Sequence, residues 1–208
     1  MTRDTRATYT PLPASSSAGG TRPWHRRALA WLGHGRARRA TAAALYDTLV
    51  AQARQPLFYA QWGVPDSRDG RLEMVSLHAI LLMRRLRAEG AEGSALAQAM
   101  LERMFDDLDR HLREWGVGDP SVGKRMKELA QSFLGRVAAV DPLLAGDNLH
   151  ALADVLRRNV YTEVATPAAD AVDRLARYLA GQDRWLAAQD GTALLGGRIR
   201  FAAPADLG

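Results

Sequence analysis

The sequence predicts an all-α fold: a single helical-bundle domain of six to eight helices, followed by a short extended C-terminal piece. Its 208 residues are 47% hydrophobic and 25% charged, a composition typical of a globular domain. After residue 40, apolar residues recur at three- and four-residue steps over successive stretches. Pro, Gly and Asp separate these stretches and no strand–helix alternation occurs, so helices packed on helices are the expected architecture.

The first helices of the domain are predicted from capping and turn residues. Thr41 is expected to cap a helix that runs to about Gln55. Pro56 suits the first position of a short helical turn, and residues 65–70 are rich in turn-forming Pro, Asp and Gly. A further helix is expected over residues 72–88, where apolar residues again follow the helical period.

The clearest helical pattern covers residues 94–115, and Gly90 and Gly93 are expected to end the helix before it. Its apolar stripe consists of Leu96, Met100, Leu101, Phe105, Leu108, Leu112 and Trp115. The Asp119–Pro120 pair has the residue types of an N-cap followed by a first helical position, so it predicts the start of the next helix. The Asp141–Pro142 pair is expected to break that helix.

The last part of the chain is expected to hold two longer helices and a short one. Asp147 is expected to cap the first, and the Thr166–Pro167 pair to begin the second. A short separate helix is expected around Trp185. Residues 193–201 are the one strand-like stretch, with the Gly196–Gly197 pair as a turn within it.

The positive charge of the chain is concentrated at its N-terminus. The formal net charge is +5, but residues 1–39 contain eight Arg and one Asp, a net of +7. Residues 40–208 carry 20 basic and 22 acidic side chains, a net of −2. A nucleic-acid-binding domain usually carries its basic residues on the fold itself. The distribution therefore favours a charged tail, and we expect no DNA partner.

Residues 1–39 are expected to form a disordered, Arg-rich tail before a helical domain over residues 40–208. Residues 24–35 are a candidate interfacial helix that would contact an anionic membrane or the ribosome. The residues expected to make that contact are Trp24, Arg26, Arg27 and Trp31. The alternative is an Arg-rich linker whose two Trp fold back on the domain.

The sequence lacks the residue patterns of common catalytic and metal chemistry. Zero Cys excludes a disulfide scaffold, a thiolate zinc site and a cysteine nucleophile. No complete phosphate-binding glycine motif occurs, and no apolar run reaches the roughly 18 residues of a membrane-spanning helix. We therefore expect no enzyme activity, no cofactor and no metal site. His78 is interpreted as a core histidine rather than a haem or metal ligand.

Acidic residues on the clearest helix form the first candidate surface. Asp106 and Asp109 lie on one side of that helix, as metal or acid–base carboxylates would. However, Asp106–Arg110 and Asp109–Arg113 are spaced i, i+4, so each pair would neutralise itself at the surface. This spacing favours a solvated or partner-facing surface over a metal site.

The segment 52–71 is the second candidate surface, because it carries three aromatic residues, two prolines and alternating charges. Aromatic and Arg side chains dominate protein–protein hot spots. Phe58, Tyr59 and Trp62 would cap the bundle core on the simplest interpretation. Three aromatics within five positions are not expected all to point inward, so some of them are expected to reach a partner.

Three ordered stretches resemble the ubiquinol–cytochrome c chaperone family, over about residues 42–165. The first joins Gln-Ala-Arg-x-Pro-x-Phe-Tyr (52–59), Gly-Val-Pro-Asp-x-x-Asp-Gly-Arg (63–71) and Leu-His (77–78). The second is Met-Phe-Asp-Asp-Leu-Asp-Arg-x-Leu-Arg-Glu-x-Gly-Val-Gly-Asp-x-x-Val-Gly-Lys (104–124). The third is Phe-x-Gly-Arg (133–136).

The resemblance implies a helical assembly chaperone that binds newly synthesised cytochrome b and aids biogenesis of ubiquinol–cytochrome c reductase, respiratory chain complex III. The alternative is a binding module without catalytic activity, associated with the ribosome or an anionic membrane. The chaperone role places the protein in the cytoplasm, peripheral at the inner membrane, or at the matrix face of a mitochondrion. The residues expected to bind the partner are Arg54, Phe58, Tyr59, Asp66, Asp69, Arg71, Asp106, Asp109 and Arg113.

Overall fold

The described part of the chain is built from helices. The computed structural model describes residues 24–114 and 118–208, with side chains from Gly35 onward except at positions 119 and 120. These residues contain no β-strand, which confirms the all-α prediction. The helices are α1 (Trp24–Ala53), α2 (Pro56–Ala60), α3 (Arg68–Arg87), α4 (Gly90–Glu114), α5 (Asp119–Ala145), α6 (Leu149–Asn159), α7 (Ala169–Ala187), α8 (Gly191–Leu195) and α9 (Pro204–Leu207).

Helix α3 is the centre of the unit formed by residues 35–208. All residues from Ser76 to Met83 are buried, and α3 packs against α4, α5 and α7. A helix that is buried on every side belongs in the middle of a bundle. Helix α6 packs on α5 and α7, and α9 packs on α2 and α7. The core therefore surrounds α3.

Helix α1 is continuous where a new helix was expected to begin. Thr41 lies inside α1 and does not cap it, so that prediction was wrong. Residues 36–53 contain no Gly or Pro and are rich in Ala, Arg and Leu, which are strong helix formers. Nothing in this stretch interrupts the helix, and its Leu45 and Leu49 side chains are fully buried.

The start of α2 is confirmed, whereas α3 begins earlier than predicted. Pro56 is the first residue of α2. Helix α3 begins at Arg68 rather than at residue 72, because the hydroxyl of Ser67 caps it by accepting from the Gly70 N–H at 3.1 Å. The same hydroxyl donates to a Glu163 carboxylate oxygen at 2.7 Å, which fixes the cap to the loop after α6.

Four other helix boundaries differ from the predictions. Gly93 lies inside α4, which begins at Gly90, and α7 begins at Ala169 rather than at the Thr166–Pro167 pair. Gly118 rather than Asp119 is the N-cap of α5, and the side chain of Asn148, not that of Asp147, caps α6 by accepting from the Ala151 N–H at 3.1 Å. The last two predictions miss by one position because two residue types that can cap a helix stand side by side.

Pro142 does not break α5, which continues to Ala145. A proline removes one backbone N–H donor, but in the last turn of a helix it disrupts few bonds. Arg84 Nη1, from a neighbouring helix, also donates to the Asp141 carbonyl at 3.0 Å. This long-range bond is one that the local sequence does not reveal.

The C-terminal segment is extended, but it pairs with side chains and not with a strand. Trp185 belongs to α7, so the separate short helix predicted there is wrong. Residues 193–195 are part of α8, and the extended stretch covers residues 198–203. Gln182 of α7 and Gln189, which follows α7, each bond to both the N–H and the C=O of one residue in this stretch. Their amides act as the backbone of a neighbouring strand would.

Candidate partner-binding surface

An open groove of about 600 Å³ lies beside α2 and the start of α3. Its lining combines charged, aromatic and small apolar side chains: Arg54, Pro56, Tyr59, Ala60, Asp66 and Arg71. All six belong to the 52–71 segment. The structure therefore brings four of the predicted partner-binding residues, Arg54, Tyr59, Asp66 and Arg71, to one groove.

The groove keeps its shape because the 63–66 loop packs directly on the first turn of α3. Gly63 adopts a positive φ of 63°, which glycine accepts at low cost. A Cβ added at Gly70 would lie 2.1 Å from the Pro65 carbonyl oxygen, so only glycine allows this approach. Asp66, next in the loop, then accepts a 2.5 Å hydrogen bond from Arg71 Nε. This bond holds the pKa of the Asp66 carboxyl below its usual value.

The two aromatic neighbours Phe58 and Tyr59 face opposite ways. Phe58 is 0% exposed, so its predicted role in partner binding is wrong, and Trp62 at 3% exposure is also a core residue. The Phe58 ring packs edge-on against Trp62, His78 and Tyr178, at centroid distances of 5.3, 5.8 and 5.0 Å. Tyr59 is half-buried at the groove, and its hydroxyl donates to the Ala53 carbonyl at 2.8 Å.

Arg54 contributes an exposed positive charge to the groove. It forms no ion pair with any residue that the structure describes. Burial raises the pKa of both Tyr46 and Tyr59, and the positive charge of Arg54 opposes part of that rise. Arg54 is therefore near enough to both phenols for its charge to act on them. Asp69 is exposed in the first turn of α3, outside the groove lining.

The acidic face of α4 is arranged differently from the sequence prediction. Arg113 Nε donates to Asp109 at 2.8 Å, as the i, i+4 spacing indicated. Arg110, however, pairs with Asp107 at 3.3 Å and not with Asp106. Asp106 is exposed and Asp109 is partly exposed. No described contact joins Asp106, Asp109 or Arg113 to the groove.

Asp107 is the residue of this region that the sequence interpretation missed. It accepts a 3.1 Å hydrogen bond from Tyr46 Oη of α1, and Arg103 lies 3.4 Å away on α4. The Arg103 guanidinium also stands 5.5 Å from the Tyr46 ring centroid, within cation–π distance. Through Tyr46, Asp107 connects the acidic face of α4 with α1. In the sequence, only its place in the Asp106–Asp107 pair could have pointed to Asp107.

His78 is a core histidine, fully buried and bonded at both ring nitrogens. Nδ1 lies 2.7 Å from the Met74 carbonyl, which can only accept, so Nδ1 carries the proton. Nε2 then accepts from the Tyr178 hydroxyl at 2.7 Å, and that hydroxyl accepts from Gln52 Nε2 at 2.9 Å. Both nitrogens are thus occupied by protein partners. Among the described residues no group of His, Cys, Asp and Glu could hold a metal ion.

The free energy of unfolding should fall as the pH drops from about 6.5 to about 4. Burial lowers the pKa of His78 from 6.5 to about 4. The unfolded chain therefore takes up this proton first, at about pH 6.5, and the native state is destabilised until its own pKa is reached. This shift corresponds to about 3 kcal/mol. Urea titrations at several pH values should show the loss, and His78→Gln should lack that part of the slope. Parallel pH profiles of the two proteins would contradict the assignment.

The four tail residues predicted to contact a membrane or the ribosome, Trp24, Arg26, Arg27 and Trp31, have side chains outside the described residues. The extent of the tail stays a prediction. Within the described ranges, no helix has the length and apolar character to cross a bilayer.

Comparison with known proteins gives one consistent result. Residues 60–201 match the family model described as ubiquinol-cytochrome C chaperone. The matched region extends beyond residue 165 and includes α7 and α8. A solved structure, the Cbp3 homologue from Brucella abortus, is 35% identical, has a TM-score of 0.77 and covers 88% of this chain and 99% of its own.

Curated relatives agree with this match. The mouse ubiquinol-cytochrome c reductase complex assembly factor 1 is 22% identical over 77% of this chain and 54% of its own length. The Drosophila melanogaster protein of the same name is 24% identical over 68% of this chain and 56% of its own length. The chain thus spans about half the length of these two relatives.

Proposed function

Because the chain belongs to the ubiquinol–cytochrome c chaperone family, we propose that it binds newly synthesised cytochrome b and aids assembly of ubiquinol–cytochrome c reductase. The family and the assembly-factor names of its relatives indicate the complex, and cytochrome b as the client is our proposal. The protein would act by binding alone, making and breaking no covalent bond. The amphipathic groove beside α2 is the observation that supports the proposal best.

The chemistry of the groove suits a short polypeptide segment. Arg54 offers a guanidinium without an ion pair among the described residues, and Tyr59 and Pro56 add apolar surface. Aromatic and Arg side chains contribute most to interfaces of this kind. Asp66, beside them, is already bonded to Arg71, so the groove has a net positive charge and suits carboxylates or backbone carbonyls of the client. The cytoplasmic loops of a multi-span client also carry an excess of Lys and Arg, which suits the exposed carboxylates of α3 and α4 instead.

The acidic face of α4 is the second part of the proposed surface. Asp106 is exposed, and Asp109 with Arg113 forms an exposed pair at the same end of the helix. Asp69 adds a further exposed carboxylate at the start of α3. We propose that these carboxylates contact basic loops of cytochrome b while the groove holds a neighbouring segment.

Arg54→Glu should reduce the cytochrome b that co-purifies with the tagged protein by about tenfold, the size of a moderate hot spot. Arg54 is exposed and makes no ion pair with the described residues, so the stability of the fold should change by less than about 0.5 kcal/mol. The double variant Asp106→Lys/Asp109→Lys should reduce capture in the same direction. Haem b spectra of the purified complex measure the amount of client.

The matched control is Arg158→Glu, an exposed arginine on α6 that undergoes the same change of charge. It should capture cytochrome b as well as the unchanged protein does. Undiminished capture by Arg54→Glu would show that the groove does not hold the client. Undiminished capture by the α4 double variant would show that the acidic face of α4 does not contact the client.

We also propose that the protein works at the cytoplasmic face of the inner membrane, or at the matrix face in a mitochondrion, with the tail contacting anionic lipid or the ribosome. The net charge of +7 over residues 1–39 supports an anionic partner. Contacts of this kind weaken with salt. Fractionation of cells at low salt that recovers the protein free of both membranes and ribosomes would contradict this location.

A further inference from the structure

Far along the chain from the groove residues, the fold exposes an aromatic ring that is bonded to an extended segment carrying two arginines. Trp185 on α7 is 47% exposed, although Trp is normally much more buried. Its indole N–H donates to the Arg200 carbonyl at 3.0 Å. The polar atom of the ring is therefore already bonded, and the solvent-facing part of Trp185 is mostly hydrocarbon. Trp185, Arg198 and Arg200 are named the Trp–Arg patch below.

The main chain of this patch is held firmly. The Arg200 carbonyl accepts a second hydrogen bond, from Gln189 Nε2 at 2.6 Å, and the Arg200 N–H donates to Gln189 Oε1 at 3.0 Å. Ile199, between the two arginines, is only 9% exposed and anchors the extended segment on the core. Because side chains alternate along an extended segment, Arg198 and Arg200 leave the same side of it. Both are exposed.

The charges of the patch are uncompensated within the described residues. Neither Arg198 nor Arg200 forms an ion pair with any of them. Carboxylates close in sequence to Trp185 and Gln189 have other partners. Asp183 is bonded to Arg84 at 2.9 Å, and Asp190 accepts from the Thr192 and Ala193 N–H groups at the start of α8. The patch is thus a local positive surface on a domain whose residues 40–208 have a net charge of −2.

We propose that the Trp–Arg patch is a contact site for an anionic phospholipid bilayer. Trp is enriched at the membrane–water interface, and Arg keeps its guanidinium at the phosphates while its stem lies along apolar surface. The lipid phosphates would supply the negative charge that the protein does not. None of the three side chains lines the groove beside α2 or the two described pockets around Arg84 and Phe133, and an exposed site outside these pockets suits a broad surface better than an inserted peptide. This site lies on the folded domain, so it goes beyond the proposed function and does not depend on the tail.

Co-sedimentation of the full-length protein with phosphatidylglycerol-containing vesicles and with pure phosphatidylcholine vesicles tests this site. Arg198→Ala/Arg200→Ala should lower the partition coefficient on anionic vesicles about 25-fold, about fivefold for each arginine, at low salt. Trp185→Ala should lower it several-fold. The double variant Arg158→Ala/Arg177→Ala removes the same charge from two other exposed arginines and should change it less than about twofold. The tail is identical in all variants, so the ratios report the patch.

Fluorescence supplies an independent reading of the same contact. The difference spectrum between the unchanged protein and Trp185→Phe isolates the emission of Trp185, which should shift to shorter wavelength when anionic vesicles are added. Partitioning of Arg198→Ala/Arg200→Ala equal to that of the unchanged protein, or an unshifted Trp185 emission, would overturn the bilayer contact. A protein partner would then be the better interpretation of the patch.

Capture of cytochrome b from detergent extracts separates this inference from the proposed function. The patch variants should capture the client normally there, because no bilayer is present and the groove is unchanged. If the patch variants capture the client normally and also bind vesicles as the unchanged protein does, the lipid site is wrong and the proposed function is unaffected. Loss of capture by the patch variants would instead place the patch in the client interface and overturn the lipid assignment.

Discussion

Replacing Phe58 with alanine will lower the free energy of unfolding by about 3–5 kcal/mol, the cost typical of removing a buried phenylalanine. Phe58 is 0% exposed and packs edge-on against Trp62, His78 and Tyr178. Its removal leaves a cavity where α2 meets α3 and α7, and the surrounding rings are too rigidly held to fill it. Urea unfolding followed by far-ultraviolet circular dichroism measures the change.

Tyr59→Ala is the matched control for that experiment, because it truncates the adjacent aromatic residue on the same helix. Tyr59 is half-buried and makes one hydrogen bond to the Ala53 carbonyl. Its loss should cost about 1–2 kcal/mol, and it should weaken client capture more than it weakens the fold. Equal destabilisation by the two substitutions would show that Phe58 and Tyr59 do not have the separate roles assigned to them.

Gly70→Ala is the second substitution with a large expected effect. A Cβ at this position would lie 2.1 Å from the Pro65 carbonyl oxygen and 3.0 Å from its carbon, so the loop or the helix must shift. Overpacking of this kind costs about 1–3 kcal/mol, although alanine is the better helix former. The shift also moves Asp66 away from Arg71, so the variant should lose both stability and client capture.

Gly135→Ala on α5 tests whether that loss arises from the close approach. Gly135 is also a helical glycine, but an added Cβ would meet no atom within 4 Å. The substitution should raise the free energy of unfolding by up to about 1 kcal/mol, since it only improves helix propensity. A stabilised Gly70→Ala variant, with capture unchanged, would show that the 63–66 loop does not hold the groove open.

The composition of the candidate surface could be predicted, but its geometry could not. The prolines, charges and aromatics of residues 52–71 marked the segment as a candidate interaction surface. Which aromatic faces outward depends on contacts with distant helices: Phe58 meets Tyr178, whereas Tyr59 does not. Asp107 was missed for the same reason, since its partner Tyr46 lies 61 residues earlier.

The two prolines show which helix boundaries can be predicted from local sequence. Pro56 begins α2 as predicted, because proline acts through its own fixed φ and missing N–H. Pro142 was expected to break α5 and does not, because the effect of a proline in a last turn depends on the bonds that remain. This end of α5 also accepts a hydrogen bond from Arg84 on another helix, which no local signal predicts.

The sequence by itself determined the helical class, the absence of cysteine chemistry, the concentration of positive charge before residue 40 and the family. These properties follow from residue identity and local spacing, which do not change when the chain folds. Only the tertiary structure decided that Phe58 belongs to the core, that Arg54 lines a groove, and that an internal bond to Arg200 leaves the apolar part of Trp185 at the surface. Burial and pairing are set by residues far apart in the chain, and these meet only when α3 is enclosed by the other helices.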